Sequence, residues 1–541
     1  MLLSNLDLLA TAPGGVARLR ELILTLAVQG KLLPQDPNER PVDLNLVPEL
    51  ISRLINEGKV PSSRAVAEVL ELDEDHDQLP MNWRVIGANK VLIPRSGNSK
   101  LIKGKLFDSN GEGLYAGYSA SGQDVWLQTY EYEGTAIILS AVGARCGKAF
   151  LANEKWSAIA NTHIVWPLEE VVLPAYGMLL LNDEKFWIRS GGAQPFVKVT
   201  ETLEKSLWVP PLAEQSRIVT RVEEFMRLCD ALEAKGQLEA TQHAQLVSTL
   251  LGTLTASTTP EELADNWQRV AQHFDLLAGR PEAIDALEQT LLQLAVRGLL
   301  VPQDPTDEPV SVLLQKIRAE KDRLIAEGKI KRDKPLLPIT DEEKPFELPV
   351  GWEWVRLRDL VTHLGDGLHG TPNYSLTGDY YFVNGNNLGS GVITIKPETK
   401  RVDRTEFEKH RKPLDATTVL LSINGTLGRV AFYRNEMIVL GKSACYFNVT
   451  VGLQKIFAKL LLECPDFMTY AEKSATGTTI KNLGLKAIGD WPIALPPLAE
   501  QSRIVTRVTA VRGLCTDLRQ RLAERQSVQA RLAEALVASV A

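Results

Sequence analysis

One stretch of this chain occurs twice. The string PPLAEQSRIVTRV runs from Pro210 to Val222 and recurs, unchanged over 13 residues, from Pro496 to Val508. Upstream of each copy lies a second matched pair, residues 5–37 against 273–305, with 16 identities over 33 positions. Ile55 to Val60 (INEGKV) then matches Ile325 to Ile330 (IAEGKI), and Leu79, Pro80 and Trp83 match Leu348, Pro349 and Trp352. Chance does not repeat a 13-residue string, so the chain must build the same local structure twice. The offset between partners is 268 early in each half and 286 late, so the copies diverge in length between the tryptophan and the repeated string. That interval is only faintly shared: Ser140 to Phe150 loosely resembles Ser422 to Phe432, and Ser190 to Gln194 sits where Ala475 to Thr479 sits. The plan is matched scaffold, variable module, matched scaffold, twice over.

The scaffold pieces read as helices. In each repeated string the proline pair ends an extended run, and Leu-Ala-Glu-Gln opens a helix with Glu in the first turn, where the helix dipole favours it. Val222, Phe225, Met226, Cys229 and Leu232, then Leu246, Val247, Leu250, Leu251 and Leu254, form an apolar stripe, as do Val508, Val511, Cys515, Leu518 and Leu522. This is the pattern of a coiled-coil or helix-pair seam. A helix from Glu214 to Leu254 spans about 60 Å, and Thr255 to Leu263 (TASTTPEEL) breaks it. The modules read as strands: Thr135 to Val142, His163 to Leu168, Thr417 to Ile423 and Tyr446 to Val451 are β-rich runs between Gly and Asn turns. The expected class is therefore α+β: two mixed, strand-rich modules separated by two long antiparallel coiled-coil-like helices, related by a pseudo-two-fold. The expected boundaries are an N-terminal helical region 1–83, a first module 84–207, a central helical region 208–352, a second module 353–490 and a C-terminal helix 491–541.

At 541 residues the chain exceeds one core and suggests roughly three or four domains. No apolar run reaches the roughly 18 residues of a membrane span. The apolar N-terminus lacks the basic leader of a secretory signal, and five scattered cysteines show no C-x-x-C pair, which suits a reducing cytoplasm. The net charge of −7 opposes nucleic-acid binding at first sight, but such binding needs a local basic surface rather than a basic total. The modules together carry 30 basic and 26 acidic residues, a charge of +4; the scaffold carries 30 and 41, or −11. The acidity lives in the scaffold.

No catalytic constellation is visible. Gly441-Lys442-Ser443 resembles the end of a phosphate-binding loop, but the required earlier glycine is Glu436. Pro465-Asp466 followed by Glu472-Lys473 mimics a nuclease signature without the spacer between acid and lysine, and reads as a solvated helix face. There is no Gly-rich strand–helix fingerprint, no Asn/Asp-Pro-Pro-Tyr/Phe string and no H-E-x-x-H among seven histidines. His163, on an apolar strand, reads as a core or turn histidine. The chain is expected not to be an enzyme, and to hold no metal and no cofactor of its own.

What the modules do carry suits readout of a polymer. The second contains the small-residue loop Gly365 to Tyr374, with Asp366, His369, Thr371, Asn373 and Tyr374, then Asn386 and Asn387, the basic cluster Lys409, Arg411 and Lys412, and the turn holding Asn424, Thr426 and Arg429. The first offers Tyr118, Ser119, Ser121 and Gln123, the turn with Arg145 and Lys148, and Gln194 and Lys198 in the stretch 190–198. Asn, Gln, Arg and Lys pair with base edges in a major groove, while Ser, Thr and backbone N–H groups hold phosphates. Each cluster alone reads equally well as a β-turn or a solvated face; their recurrence at corresponding places in both modules favours double-stranded DNA.

The duplicated PPLAEQ-type helix starts, the long apolar-seamed helices and the two divergent modules resemble the specificity subunits of type I restriction–modification enzymes. The loop DG-x-H-x-TP-x-Y at Asp366 to Tyr374 and the turn GA-x-CGK at Gly143 to Lys148 resemble recurrent patterns of target recognition domains. The resemblance covers essentially the whole chain. It implies that each module reads one half of a bipartite DNA site, and that the conserved helices act as a ruler for the spacer. It also implies that two methyltransferase subunits, holding S-adenosylmethionine, dock pseudo-symmetrically, and that a restriction and translocation subunit joins them. A cytoplasmic location and no membrane contact follow. Because the scaffold is acidic, weak DNA binding by the isolated chain is expected. The sequence also admits an acidic helical scaffold or DNA mimic that binds nucleic-acid enzymes without reading DNA.

Overall fold

The structure, a computed structural model, describes residues 6–61, 79–143, 145–183, 186–192, 194–257 and 259–539. The first five residues of the apolar N-terminus lie outside the described residues. The chain divides into two compact units, residues 1–239 with 526–541, and 240–525. Among the described residues no helix is long and apolar enough to cross a membrane.

The first unit opens with α1 (Leu6–Thr11), α2 (Gly15–Val28) and α3 (Val47–Asn56). Its module follows: β1 (Arg84–Gly87), α4 (Ala88–Val91), β2 (Leu92–Ser96), β3 (Tyr115–Ser119), β4 (Gly122–Leu127), β5 (Tyr132–Glu133), β6 (Ala136–Ser140), β7 (Ala149–Ala152), β8 (Lys155–Ala158) and β9 (Thr162–Pro167). It continues with α5 (Pro174–Leu181), β10 (Arg189–Ser190), β11 (Phe196–Val197), α6 (Val199–Thr202) and β12 (Ser206–Val209), and α7 (Leu212–Ala256) leaves it. The run AIILS of β6 is wholly buried because β6 is a central strand, in a sheet of order β2-β9-β6-β7. A second sheet runs β4-β3-β8-β5, with β3 parallel to β8. β1 pairs antiparallel with β12, Arg84 opposite Val209, and closes the module's two ends together.

The second unit repeats the scheme. After α8 (Pro260–Gln272), α9 (Phe274–Leu277), α10 (Pro281–Val296) and α11 (Val310–Ala326) come β13 (Glu353–Arg356), β14 (Val361–Asp366), β15 (Tyr380–Val383), β16 (Leu388–Gly389), β17 (Val392–Ile393) and β18 (Arg401–Val402). Then follow α12 (Arg404–His410), β19 (Thr418–Ser422), β20 (Val430–Phe432), β21 (Ile438–Leu440), β22 (Ala444–Val449), α13 (Lys455–Glu463), α14 (Pro465–Ser474), α15 (Leu485–Asp490), β23 (Pro492–Leu495) and α16 (Leu498–Ala538). The main sheet, β14-β22-β19-β20, has the order of β2-β9-β6-β7, and β15 runs parallel to β21 as β3 does to β8. β13 pairs with β23 as β1 does with β12. Two sequences with little identity thus fold their main sheets to one topology, because the buried face of each strand needs only apolar side chains of fitting size. The second sheets differ, four strands against three.

Both repeated strings start helices at their leucine, as expected. The glutamate stands in the first turn, as expected, and is in addition turned inward, about 1% exposed in both copies. Glu214 accepts from the Trp83 indole at 2.9 Å and from Gln35 at 2.8 Å; Glu500 accepts from Trp352 and Gln303, both at 2.9 Å. Gln215 donates to the Val171 and Pro210 carbonyls and accepts from Leu173 N–H, and Gln501 does the same with Gly452, Pro496 and Gln454. Arg217 pairs with Glu39, and Arg503 forks onto Asp307. The glutamate, glutamine and arginine of each string are thus held by the scaffold and by the module beside it, with the same set of bonds in both copies.

The apolar stripes face shorter helices in each unit. Val222 and Cys229 join the first core beside α2, and Ala533, near the end of α16, joins it too. In the second unit Val247, Leu251 and Leu254 of α7 pack with Ala283, Leu287 and Leu291 of α10, while Cys515 and Leu522 of α16 close on Ile284.

Burial raises the carboxyl pKa of Glu214 and Glu500 above the ordinary 4.5, against the lowering pull of the indole and amide N–H groups. A carboxyl whose folded pKa is raised costs nothing below its unfolded pKa; stability is lost as pH rises through the folded value. Relative to the Glu214→Gln, Glu500→Gln variant, the native chain is therefore expected to lose stability as pH rises above 4.5. Paired denaturant melts across that range check this, and parallel pH profiles would refute it.

Candidate DNA interface

Each module gathers its loops at the same end of its main sheet. In the second, Asp366 ends β14 and the chain turns through Gly367, whose N–H bonds Ala444 O at 3.0 Å, while Leu368 N–H bonds Leu440 O at 2.7 Å. A Cβ on Gly367 would lie 2.3 Å from Gly441 O and 2.4 Å from Leu440 O, so only glycine lets the loop reach the β21–β22 turn. In the first module Gly97 makes the same approach: its N–H bonds Thr162 O at 2.9 Å, Asn98 N–H bonds Ala158 O at 2.8 Å, and a Cβ would lie 2.4 Å from Ile159 O. Ser96 to Lys100 is thus the first module's counterpart of the Asp366 loop. Residue types alone do not single it out; the available signal is a glycine directly after the first sheet strand in both modules.

The expected residues sort by where they stand. His369 is exposed and its ring lies 2.5 Å from the Asp366 carboxylate. Thr371, Asn386, Thr426 and Arg429 are exposed, and Asn424 bonds Asn482, which ties its turn to the strip 476–482. Asn373 anchors the loop by donating to Glu406 at 2.8 Å, and His410 lies 2.8 Å from the same carboxyl. Burial pushes the Glu406 carboxyl up, but these bonds and the Lys409 charge outweigh it and hold the carboxyl below the usual value. Tyr374 is about two-fifths exposed, with the Lys400 ammonium 4.3 Å from its ring centre. Lys409 and Arg411 project from the end of α12 with weak partners, Glu406 at 3.5 Å and Glu408 at 3.9 Å; Lys412 is half-buried just beyond.

In the first module three clusters converge. Arg145 and Lys148 are exposed on a turn; Arg145 reaches Ser121 O at 3.4 Å, and Gly143 N–H bonds Pro195 O at 2.8 Å. This brings together the β3–β4 hairpin with Ser121 and Gln123, the turn, and the β10–β11 hairpin with Gln194 and Lys198. Lys198 is exposed and pairs with Glu201 at 2.8 Å.

Three expected residues are turned inward. Tyr118 is buried, its hydroxyl on Leu151 O and its ring edge-on to Trp156. Ser119 is buried and accepts from Ser121 N–H. Asn387 is buried, donating to Thr394 O and accepting from Asn384 N–H, which closes a short 3-10 turn. Their polar atoms serve the loops rather than a ligand. Exposed cations outside the expected contact residues also stand beside these loops: Lys100, Lys400, Arg401 and Lys442. Lys442 belongs to the incomplete Gly-Lys-Ser motif, which forms the β21–β22 turn against the Gly367 loop. His163, half-buried on β9 opposite Ser96, has its pKa lowered by burial, as a core histidine does.

The type I restriction modification DNA specificity domain, as a family model, matches residues 103–242 and 349–525, more than half of the chain. The chain belongs to that family. It is 31% identical over 553 residues to the type I restriction enzyme EcoAI specificity subunit of Escherichia coli, covering 96% of this chain and 93% of that one. It is 30% identical to the EcoEI specificity subunit of the same species at the same coverage. The crystal structure of the HsdS subunit from Thermoanaerobacter tengcongensis aligns over 87% of this chain and 99% of that one, with 17% identity and a TM-score of 0.36. As a type I specificity subunit, the chain has the two strand-rich regions, 84–210 and 350–450, separated in sequence by the 45-residue helix α7.

Proposed function

We propose that residues 84–207 and 353–490 each read one half of a bipartite DNA site, and that the subunit directs methylation or cleavage without catalysing either. The observation that carries this is the recurrence of one loop geometry, glycine-pinned against the turn between the last two sheet strands, on two modules of unlike sequence. Like topology supplies equal reach; unlike side chains supply unlike sequences. The contacts assigned to base edges or phosphates are Ser121, Gln123, Arg145, Lys148, Gln194 and Lys198 in the first module. In the second they are Asp366, His369, Thr371, Tyr374, Asn386, Thr426, Arg429, Lys409, Arg411 and Lys412, with Asn373 and Asn424 holding their loops. The duplicated scaffold supports two methyltransferase subunits at equivalent places, which would carry the S-adenosylmethionine, with a restriction subunit completing the complex in the cytoplasm.

Exchanging residues 84–207 for the module of a relative should change only one half of the sequence methylated by the reconstituted complex. Sequencing the methylated adenines decides it; a change in both halves or in neither overturns the reading. Replacing Lys400, Arg401 and Lys442 by alanine should flatten the salt dependence of binding by about 0.9 in log–log slope for each phosphate no longer neutralised. Titrations across ionic strength measure this, and an unchanged slope would place these residues off the DNA.

A further inference from the structure

The two scaffold copies are nearly interchangeable at their bases. The Trp–Glu–Gln lock is chemically identical in both, and Arg217–Glu39 has the same polarity as Arg503–Asp307. Nothing in those contacts tells the short helix α2 from α10, or the foot of α7 from the foot of α16. Further along, among the described ion pairs, the polarity reverses. Arg20 on α2 contacts Asp230 at 2.6 Å and Glu233 at 3.1 Å on α7. Its repeat partner is Glu288 on α10, which contacts Arg512 at 3.0 Å and Arg519 at 2.7 Å on α16, where Arg519 is the repeat partner of Glu233.

Each short helix also touches the far half of the other long helix, α10 through Leu287 beside Val247 and α2 through Arg18 beside Glu534. The choice therefore concerns the N-terminal halves. We infer that the reversed pair determines which N-terminal half, that of α7 or that of α16, each short scaffold helix docks on. Docked on the N-terminal half of α16, α2 would set Arg20 against Arg519; docked on the N-terminal half of α7, α10 would set Glu288 against Glu233 and Asp230. Such partly exposed pairs add little to the stability of the correct fold, but like charges forced together penalise the wrong one, which is where specificity between near-identical surfaces arises. The penalty acts both on wrong docking within a chain and on exchange of helices between chains. Unlike the DNA reading, this assignment concerns the scaffold alone.

The test gives the first half the polarity of the second in the full-length chain: Arg20→Glu, Asp230→Thr and Glu233→Arg together. The native state keeps an ion pair, so the folded species should melt close to wild type. On refolding from denaturant, yield of the wild-type species by size exclusion with light scattering should fall severalfold, the remaining material appearing as dimers and aggregates. Arg519 also contacts Asp285, at 2.6 Å, whose repeat partner is Ala17. Reversing the second pair as well, by Asp285→Ala, Glu288→Arg, Arg512→Met and Arg519→Glu, therefore restores opposition between the halves and should restore the yield. Wild-type yield from the first variant overturns the inference. Failure of the compensating substitutions to rescue a variant that misfolds overturns it equally.

Discussion

Replacing Glu214 or Glu500 by alanine is expected to destabilise the chain more than any other single polar substitution in the scaffold. Each carboxylate is buried and holds two donors, of which the indole N–H belongs to a buried tryptophan with no water to turn to, while Gln35 and Gln303 reach the surface. A buried donor left unpaired costs about 1–3 kcal/mol, so losing the indole's acceptor alone takes a substantial share of a typical domain's stability of about 5–15 kcal/mol. Trp83→Phe removes one donor and leaves Gln35 in place, and should cost less. The locks lie in separate units and share no partner, so the double variant should lose the sum of the single losses. Urea unfolding midpoints measure all three; a Glu214→Ala chain that unfolds at the wild-type midpoint would show that the lock does not stabilise the scaffold.

Gly367→Ala and Gly97→Ala should each disable one half of DNA recognition while leaving the fold standing. The new methyl group meets backbone carbonyl oxygens at 2.3–2.4 Å, and backbone cannot swing aside as a side chain would. The strand-end turn must open, at a cost of about 1–3 kcal/mol for such overpacking. The loop then leaves the position from which, on the proposed reading, Asp366 and His369, or Lys100, face the DNA. A loss of about 1.4 kcal/mol of binding is tenfold in affinity, so specific binding should fall about tenfold or more. Discrimination at one half-site should vanish, with the other half read normally. Competition binding with half-site-mutated duplexes checks this, with far-UV circular dichroism to confirm the fold. Normal discrimination at both half-sites would show that the glycine approach is structural alone.

The repeat, the long helices and the strand-rich character of the modules are legible from the residues, since each rests on pattern: an identical string, a 3–4 spacing, and β-rich runs between turns. Pattern places Glu214 and Glu500 in the first turns of their helices, where they are, but not their inward orientation. Only the tryptophan 131 residues upstream of Glu214, or 148 upstream of Glu500, makes each an internal acceptor. Tyr118, Ser119 and Asn387 have side chains of types that suit a groove, but their strand and turn positions point them into the protein. Lys442 sits in an incomplete phosphate motif, yet the turn it occupies lies against the Gly367 loop.

The sequence by itself determined that the chain is built twice and which segments must be alike, because identity between copies is a property of the string and needs no coordinates. Only the tertiary structure decided what that likeness is for. Contacts across 131 to 197 residues make the repeated string an internal lock. Contacts across more than 60 residues likewise set Gly97 and Gly367 as the pins of the two reading loops. Local spacing cannot report which distant backbone a side chain will meet, and in this protein those meetings separate the residues that hold the fold from those left exposed on the loops.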